Sequence, residues 1–211
     1  MPLRTLICGS LAYDTIMVFP DRFARHILPE QTHMLSVSFQ IGEMRREWGG
    51  CAGNIAYNLK ALGGEPVVMA TLGADGAPYR ERLAGMAIAC DGVKSLPEMF
   101  TAQAFIITDL DDNQITAFHP GAMTQSHLNA VPTTAGITLG VVAPDGRDGM
   151  VAHAAQFAAA GIPWLFDPGP LSDLLTANLP VRTIEELALP FVAVATDLDT
   201  GVRVDIDSGD I

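Results

Sequence analysis

With 211 residues, 49% of them hydrophobic, and 24 acidic against 12 basic residues for a formal net charge of −12, the chain can bury one α/β core. It carries the wrong sign for a nucleic-acid surface, which needs clustered Lys and Arg. The apolar run near the N-terminus is broken by Gly9, Ser10 and Asp14, and no long charge-free stretch follows, so the expectation is a soluble cytoplasmic protein that makes no membrane contact.

In chain order, "RTLICGSLAYD" (4–14) reads as a buried strand that ends in a Gly-Ser turn, as a strand does when it empties into a site at its carboxyl end. "TIMVF" (15–19) extends it. Residues 34–41, "MLSVSFQI", alternate with period two, which predicts a half-exposed strand. Arg45-Arg46 is the one basic cluster, either solvated surface or a contact to one small anion. In "EWGGCAGNIAYNLKALGG" (47–64), Ile55, Leu59 and Leu62 form a helical stripe that Gly63-Gly64 stops.

Gly49 and Gly50 remove the Cβ atoms where a backbone must approach a ligand or bend, and a helix beginning after them aims free N–H groups at the same place. Asn54, at the helix mouth, can cap it and can present an amide to a hydroxyl-bearing ligand. An ordinary tight turn and an ordinary cap account for the same residues. Beyond them come a strand at "PVVMATLG" (66–73), a helix over about 77–89, and two strands, "AQAFIITDL" and "QITAFH", around a turn at Asp111-Asp112-Asn113. "GITLGVVAP" (136–144) is a strand, 145–161 a helix with Asp145 as its cap, and "IPWLFDPG" (162–169) a last strand. This alternation predicts a parallel sheet covered on both faces, with the hairpin and the 34–41 strand in a small separate sheet, a lid. Cys8, Cys51 and Cys90 are odd in number and lack metal-ligand spacing, so they read as buried free thiols.

"GSLAYD", the 49–64 segment, "VVMATLGADG", "TAQAFIITDLDDNQITAFHPGAM" and "GIPWLFDPG" occur in the order and spacing of the phosphofructokinase B family, and the chain resembles these ribokinase-like sugar and nucleoside kinases from about residue 3 to Gly169. The resemblance implies an α/β fold, a three-layer αβα sandwich with a mostly parallel sheet and a small β lid drawn from about 15–48 and 98–120, incomplete on its C-terminal side. It implies an acceptor site in which Asp14 binds hydroxyls, Gly49 and Gly50 hinge the lid, Asn54 opens the helix, and lid residues including Gln103 and Phe118 cover a sugar or adenosine-like nucleoside. It also implies ATP and Mg²⁺ as the phosphoryl-donor pair.

The base and the anion nest of such a transfer come, in that family, from a Gly-Ala-Gly-Asp motif that this chain lacks; "GADG" at 73–76 has different spacing. The expectation is an acceptor-binding half with no catalytic residue and no metal ligand of its own, inactive alone. Residues 170–211, chiefly "IEELALPFVAVATDLDTG", are similar to an internal piece of the patatin-like phospholipases, but the chain has no G-x-S-x-G elbow, and Asp197, Asp199 and Asp207 read as turn acids. The alternatives are a non-catalytic binding domain and, more remotely, an esterase fragment. An unpaired lid or sheet edge would favour a homodimer.

Overall fold

The computed structural model describes residues 4–27, 36–132, 136–167, 193–196 and 203–206. They fall into two compact units, 1–167 and 168–211. In the first, β1 (Arg4–Cys8), β4 (Glu65–Leu72), β5 (Ala89–Ser95), β8 (Leu139–Val142) and β9 (Trp164–Phe166) form a five-stranded sheet of order β5-β4-β1-β8-β9. Every pairing in it is parallel.

The sheet's side chains alternate between two helical layers, as the pleat requires. Ile7, Val68 and Val141 stand in register and pack with Ala52, Ala56 and Leu83 from α1 (Cys51–Ala61) and α2 (Ala77–Gly85). Leu6 and its partner Gly140 face the other way, toward α3 (Arg147–Ala160), and a Cβ at Gly140 would stand 2.6 Å from the Phe157 ring. A kinked 3₁₀ segment, Gly121–Leu128, lies on this second face, where Thr71 Oγ1 donates to the Ala122 carbonyl at 2.7 Å. The expected three-layer α/β architecture is present.

A second sheet has the order β3-β2-β6-β7, built from β2 (Ala12–Val18), β3 (Glu43–Gly49), β6 (Ala102–Thr108) and β7 (Gln114–His119). β2 does not extend β1, as "TIMVF" suggested; it crosses into this lid sheet, pairing antiparallel with β3 and parallel with β6. The predicted strand at 34–41 is displaced: 36–41 are not strand, 34 and 35 lie outside the described residues, and β3 starts at Glu43. The far end of the lid is knotted by buried Asp109. Its carboxylate accepts the Phe23, Asp111 and Asn113 N–H groups, each at 2.9 Å, while Arg22 pairs with Asp111 at 2.8 Å. Phe19, Phe23 and Phe39 pack together behind it, with centroids about 5 to 6 Å apart.

In the second unit, β10 (Ala193–Thr196) and β11 (Arg203–Ile206) pair antiparallel. Asp197, Asp199 and Asp207, expected as turn acids, lie outside the described residues.

Candidate functional site

The site is assembled where β1 and β8 end and the lid begins. Gly9 lets three backbones converge, since a Cβ there would meet Ala143 at 3.0 Å and Ala52 at 3.3 Å. Ser10 fastens the junction: its N–H donates to the Pro144 carbonyl, its Oγ accepts the Cys51 N–H at 3.1 Å, and its carbonyl accepts the Ala52 N–H. Two of the orphan donors that open α1 are thereby satisfied by one serine. Neither Gly50 nor Asn54 caps the helix through a side chain.

Gly50 has φ +89° and ψ 140°, a conformation essentially confined to glycine, and Tyr79 Oη donates to the Gly49 carbonyl beside it at 2.7 Å. Gly49 is glycine for a different reason. A Cβ there would press into the Asp14 carboxylate, 2.6 Å from Cγ. Asp14 is half-buried, has no hydrogen-bond partner among the described residues, and burial raises its carboxyl above the usual carboxylate range. It stands opposite Glu47 and Ala104, and Ala104 is opposite Phe118, so Asp14, Gly49 and Phe118 share one face of the lid.

Two expected residues lie elsewhere. Gln103 is paired with Tyr13, one residue from Asp14, and so occupies the reverse face of the lid. There its Nε2 donates to Asp75 at 3.1 Å and its Oε1 accepts from Arg46 at 3.3 Å. Arg46 also lies 4.7 Å from the Tyr13 ring centroid, so it is turned from the Asp14 face, while Arg45 forms an exposed 3.3 Å ion pair with Glu47. Asn54 sits one turn inside α1, exposed, its N–H spent on the Gly50 carbonyl, and it lines a cavity with Trp48 and Arg82.

The junction role of Ser10, the bond of Asp75 to Gln103 on the reverse face, and the burial of Asp145 escaped the sequence reading. Asp145 was expected to cap α3, but Gly146 holds the cap position. One Asp145 carboxyl oxygen accepts the neighbouring Gly146 N–H at 2.9 Å, and the other is buried without a partner. Burial pushes its pKa up to about 7. Burial raises the thiol of Cys51, at the start of α1, and the negative charges of Asp167, Asp145 and Asp14 raise it further. Ionised carboxylates accept hydrogen bonds from hydroxyl groups.

A folded-state pKa above the unfolded value means that the folded chain binds the extra proton, so this contribution is complete below about pH 4 and is lost as pH rises toward 7. Wild-type stability should therefore fall between pH 5 and 7, and Asp145→Asn should flatten that slope in urea titrations; an unchanged slope would refute the buried-acid assignment.

Residues 11–187 match the family described as pfkB family carbohydrate kinase. The nucleoside kinase of Burkholderia thailandensis in complex with inosine is 51% identical, with a TM-score of 0.69 over 81% of this chain and 54% of that one. Its complex with ADP-inosine aligns with a TM-score of 0.65 at 54% identity, over 81% of this chain and 54% of that chain. A curated nucleoside kinase of Methanothermobacter thermautotrophicus is 35% identical over 119 residues, 56% of this chain and 35% of its own length. The chain thus spans about half of the solved relatives and about a third of the curated one. The family match crosses Gly169, the expected boundary, and nothing in these comparisons supports a patatin-like segment after it.

Proposed function

Because this chain belongs to the pfkB family of carbohydrate kinases, we propose that it forms the acceptor-binding half of a nucleoside kinase whose acceptor is a purine nucleoside of the inosine type and whose phosphoryl donor is ATP. The observation that carries the reading is Asp14: a half-buried carboxylate with no protein partner among the described residues, against Gly49, on the same lid face as Phe118. An unpaired, partly desolvated carboxylate is costly to the empty protein, and ribose hydroxyls would supply the missing donors. The nucleoside kinase relatives, one with inosine and with ADP-inosine bound, favour a nucleoside over a free sugar.

Phosphoryl transfer needs more than these residues. Among the described residues no group of three His, Cys, Asp or Glu fits a metal ion, and the chain holds no Gly-Ala-Gly-Asp sequence to supply base and oxyanion nest. The donor ATP and its Mg²⁺ are assigned to residues beyond the acceptor half, and the chain by itself is expected to bind and not to turn over. We place it in the cytoplasm, where its three free cysteines are at home. Among the described residues no helix is long and apolar enough to cross a membrane. The reverse lid face, where Met44, Phe105 and Ile115 stand exposed on neighbouring strands, is assigned to a second copy of the chain.

Calorimetric titration with inosine tests the core of the proposal. Saturable one-site binding is expected, with ribose alone weaker because it lacks the base. No heat and no thermal stabilisation with inosine, adenosine or ribose would leave the non-catalytic binding or structural domain as the better account.

A further inference from the structure

A cavity of about 180 Å³ opens behind the lid hinge, on the side away from Asp14, between α1, α2 and the end of β3. Trp48, Asn54, Tyr57, Tyr79, Arg82 and Met86 are among the residues that line it. Trp48 and Tyr79 meet edge to face at 5.2 Å, so these two walls are fixed to each other. The charge in it belongs to half-buried Arg82, whose guanidinium lies 5.2 Å from the Trp48 centroid and 5.9 Å from that of Tyr57. Among the described residues no carboxylate stands within ion-pair distance of Arg82, although the chain is strongly acidic. A guanidinium held only by ring faces keeps its N–H donors for an incoming acceptor.

We propose that this cavity is a binding site for a compact planar anion, an aromatic ring bearing a carboxylate, distinct from the acceptor site. The ring lies in the part of the cavity lined by Tyr57, Tyr79 and Met86, beside the guanidinium, and the carboxylate takes the fork of Arg82, a geometry that arginine matches bidentately. The volume admits one ring. Both rigid walls are joined to the hinge: Trp48 directly precedes Gly49, and Tyr79 Oη holds the Gly49 carbonyl at 2.7 Å. A ligand gripping these rings therefore restrains the residue pair about which the lid turns, and the site acts as an effector pocket for lid position. The pocket and its ligand do not rest on the kinase reading; the effect on lid position does.

The test is titration of the whole chain with sodium benzoate, followed by calorimetry and tryptophan fluorescence, with acetate (charge without ring) and benzyl alcohol (ring without charge) as paired probes. Saturable benzoate binding is expected, with both comparison probes about tenfold weaker or worse. Arg82→Gln should weaken benzoate by about tenfold or more, and the exposed-wall variant Tyr57→Leu should weaken it independently, so that one folding failure leaves the other informative. Asp14→Ala should leave benzoate binding intact, and benzoate should slow amide exchange at Gly49 and Gly50. Absence of saturation, benzoate binding equal to wild type in the folded variants, or loss in Asp14→Ala would each overturn the proposal.

Discussion

Gly50→Ala is expected to cost the fold about 3 kcal/mol or more, measured as the loss in urea-unfolding free energy at 25 °C. Two effects add. The backbone at φ +89°, ψ 140° is hostile to any Cβ, which by itself costs on the order of 1–3 kcal/mol. The added carbon would also stand 2.7 Å from the Ala12 nitrogen and 2.8 Å from the Leu11 Cα, and backbone atoms at a strand entrance cannot rotate aside. Gly63 separates the two effects. Its φ is +85°, yet a Cβ there would meet nothing within 4 Å, so Gly63→Ala carries only the dihedral strain, about 1–2 kcal/mol. Equal losses in the two variants would show that the close approach of Gly50 to the β1–β2 connection is not a real constraint.

Asp14→Ala should reduce inosine affinity about 100-fold while leaving the empty protein no less stable. Hydrogen bonds to a charged group are worth about 1.5–3 kcal/mol each, and a ribose diol offers two donors, so a loss of about 3 kcal/mol is a conservative expectation after water competes for the same oxygens. The stability half of the prediction has the opposite sign from an ordinary deletion. The carboxylate accepts no bond from the described residues, and burial raises its pKa, so its ionised form opposes folding above the unfolded value and that opposition disappears as pH falls. Alanine removes the group and the opposition together. A variant that bound inosine normally would remove Asp14 from the acceptor site; one that unfolded would make it a structural carboxylate instead.

The parallel sheet was legible because its strands are buried on both faces and read as short apolar runs, "LIC", "VVMA" and "GVV", separated by glycine and helical stripes. β3 was not. Its sequence, EMRREWG, is charged on both faces, and only pairing with β2 makes it a strand, so no periodicity announces it. β5 hides in the same way, with Asp91-Gly92 inside it at a register shift against β4, a dipeptide that reads as a turn. At the site, the two glycines could be singled out by their missing Cβ atoms before a helix and Asp14 through the family resemblance, whereas the fit of the Asp14 carboxylate against Gly49 comes from a strand pairing that the sequence does not announce. Gln103 could not be placed, because which face of a lid strand a side chain occupies depends on a pairing between segments some ninety residues apart in sequence. Ser10 is equally long-range: it acts on a backbone segment brought to it by the sheet, and a serine after a glycine carries no local mark of that duty, whereas Asp145 bonds only its neighbour Gly146 and is set apart by its burial.

The knot around Asp109 bears on how a bound molecule would be enclosed. That one carboxylate holds both the chain leaving β2, at Phe23, and the turn joining β6 to β7, at Asp111 and Asn113. On the proposed reading, with the chain after β2 and the β6–β7 turn clasped together at the distal end, enclosure is a swing of the flap about its root at Ala12 and Gly49. Replacing the clasp, far from any ligand, would then alter the speed of capture and escape together and leave the preference among nucleosides untouched.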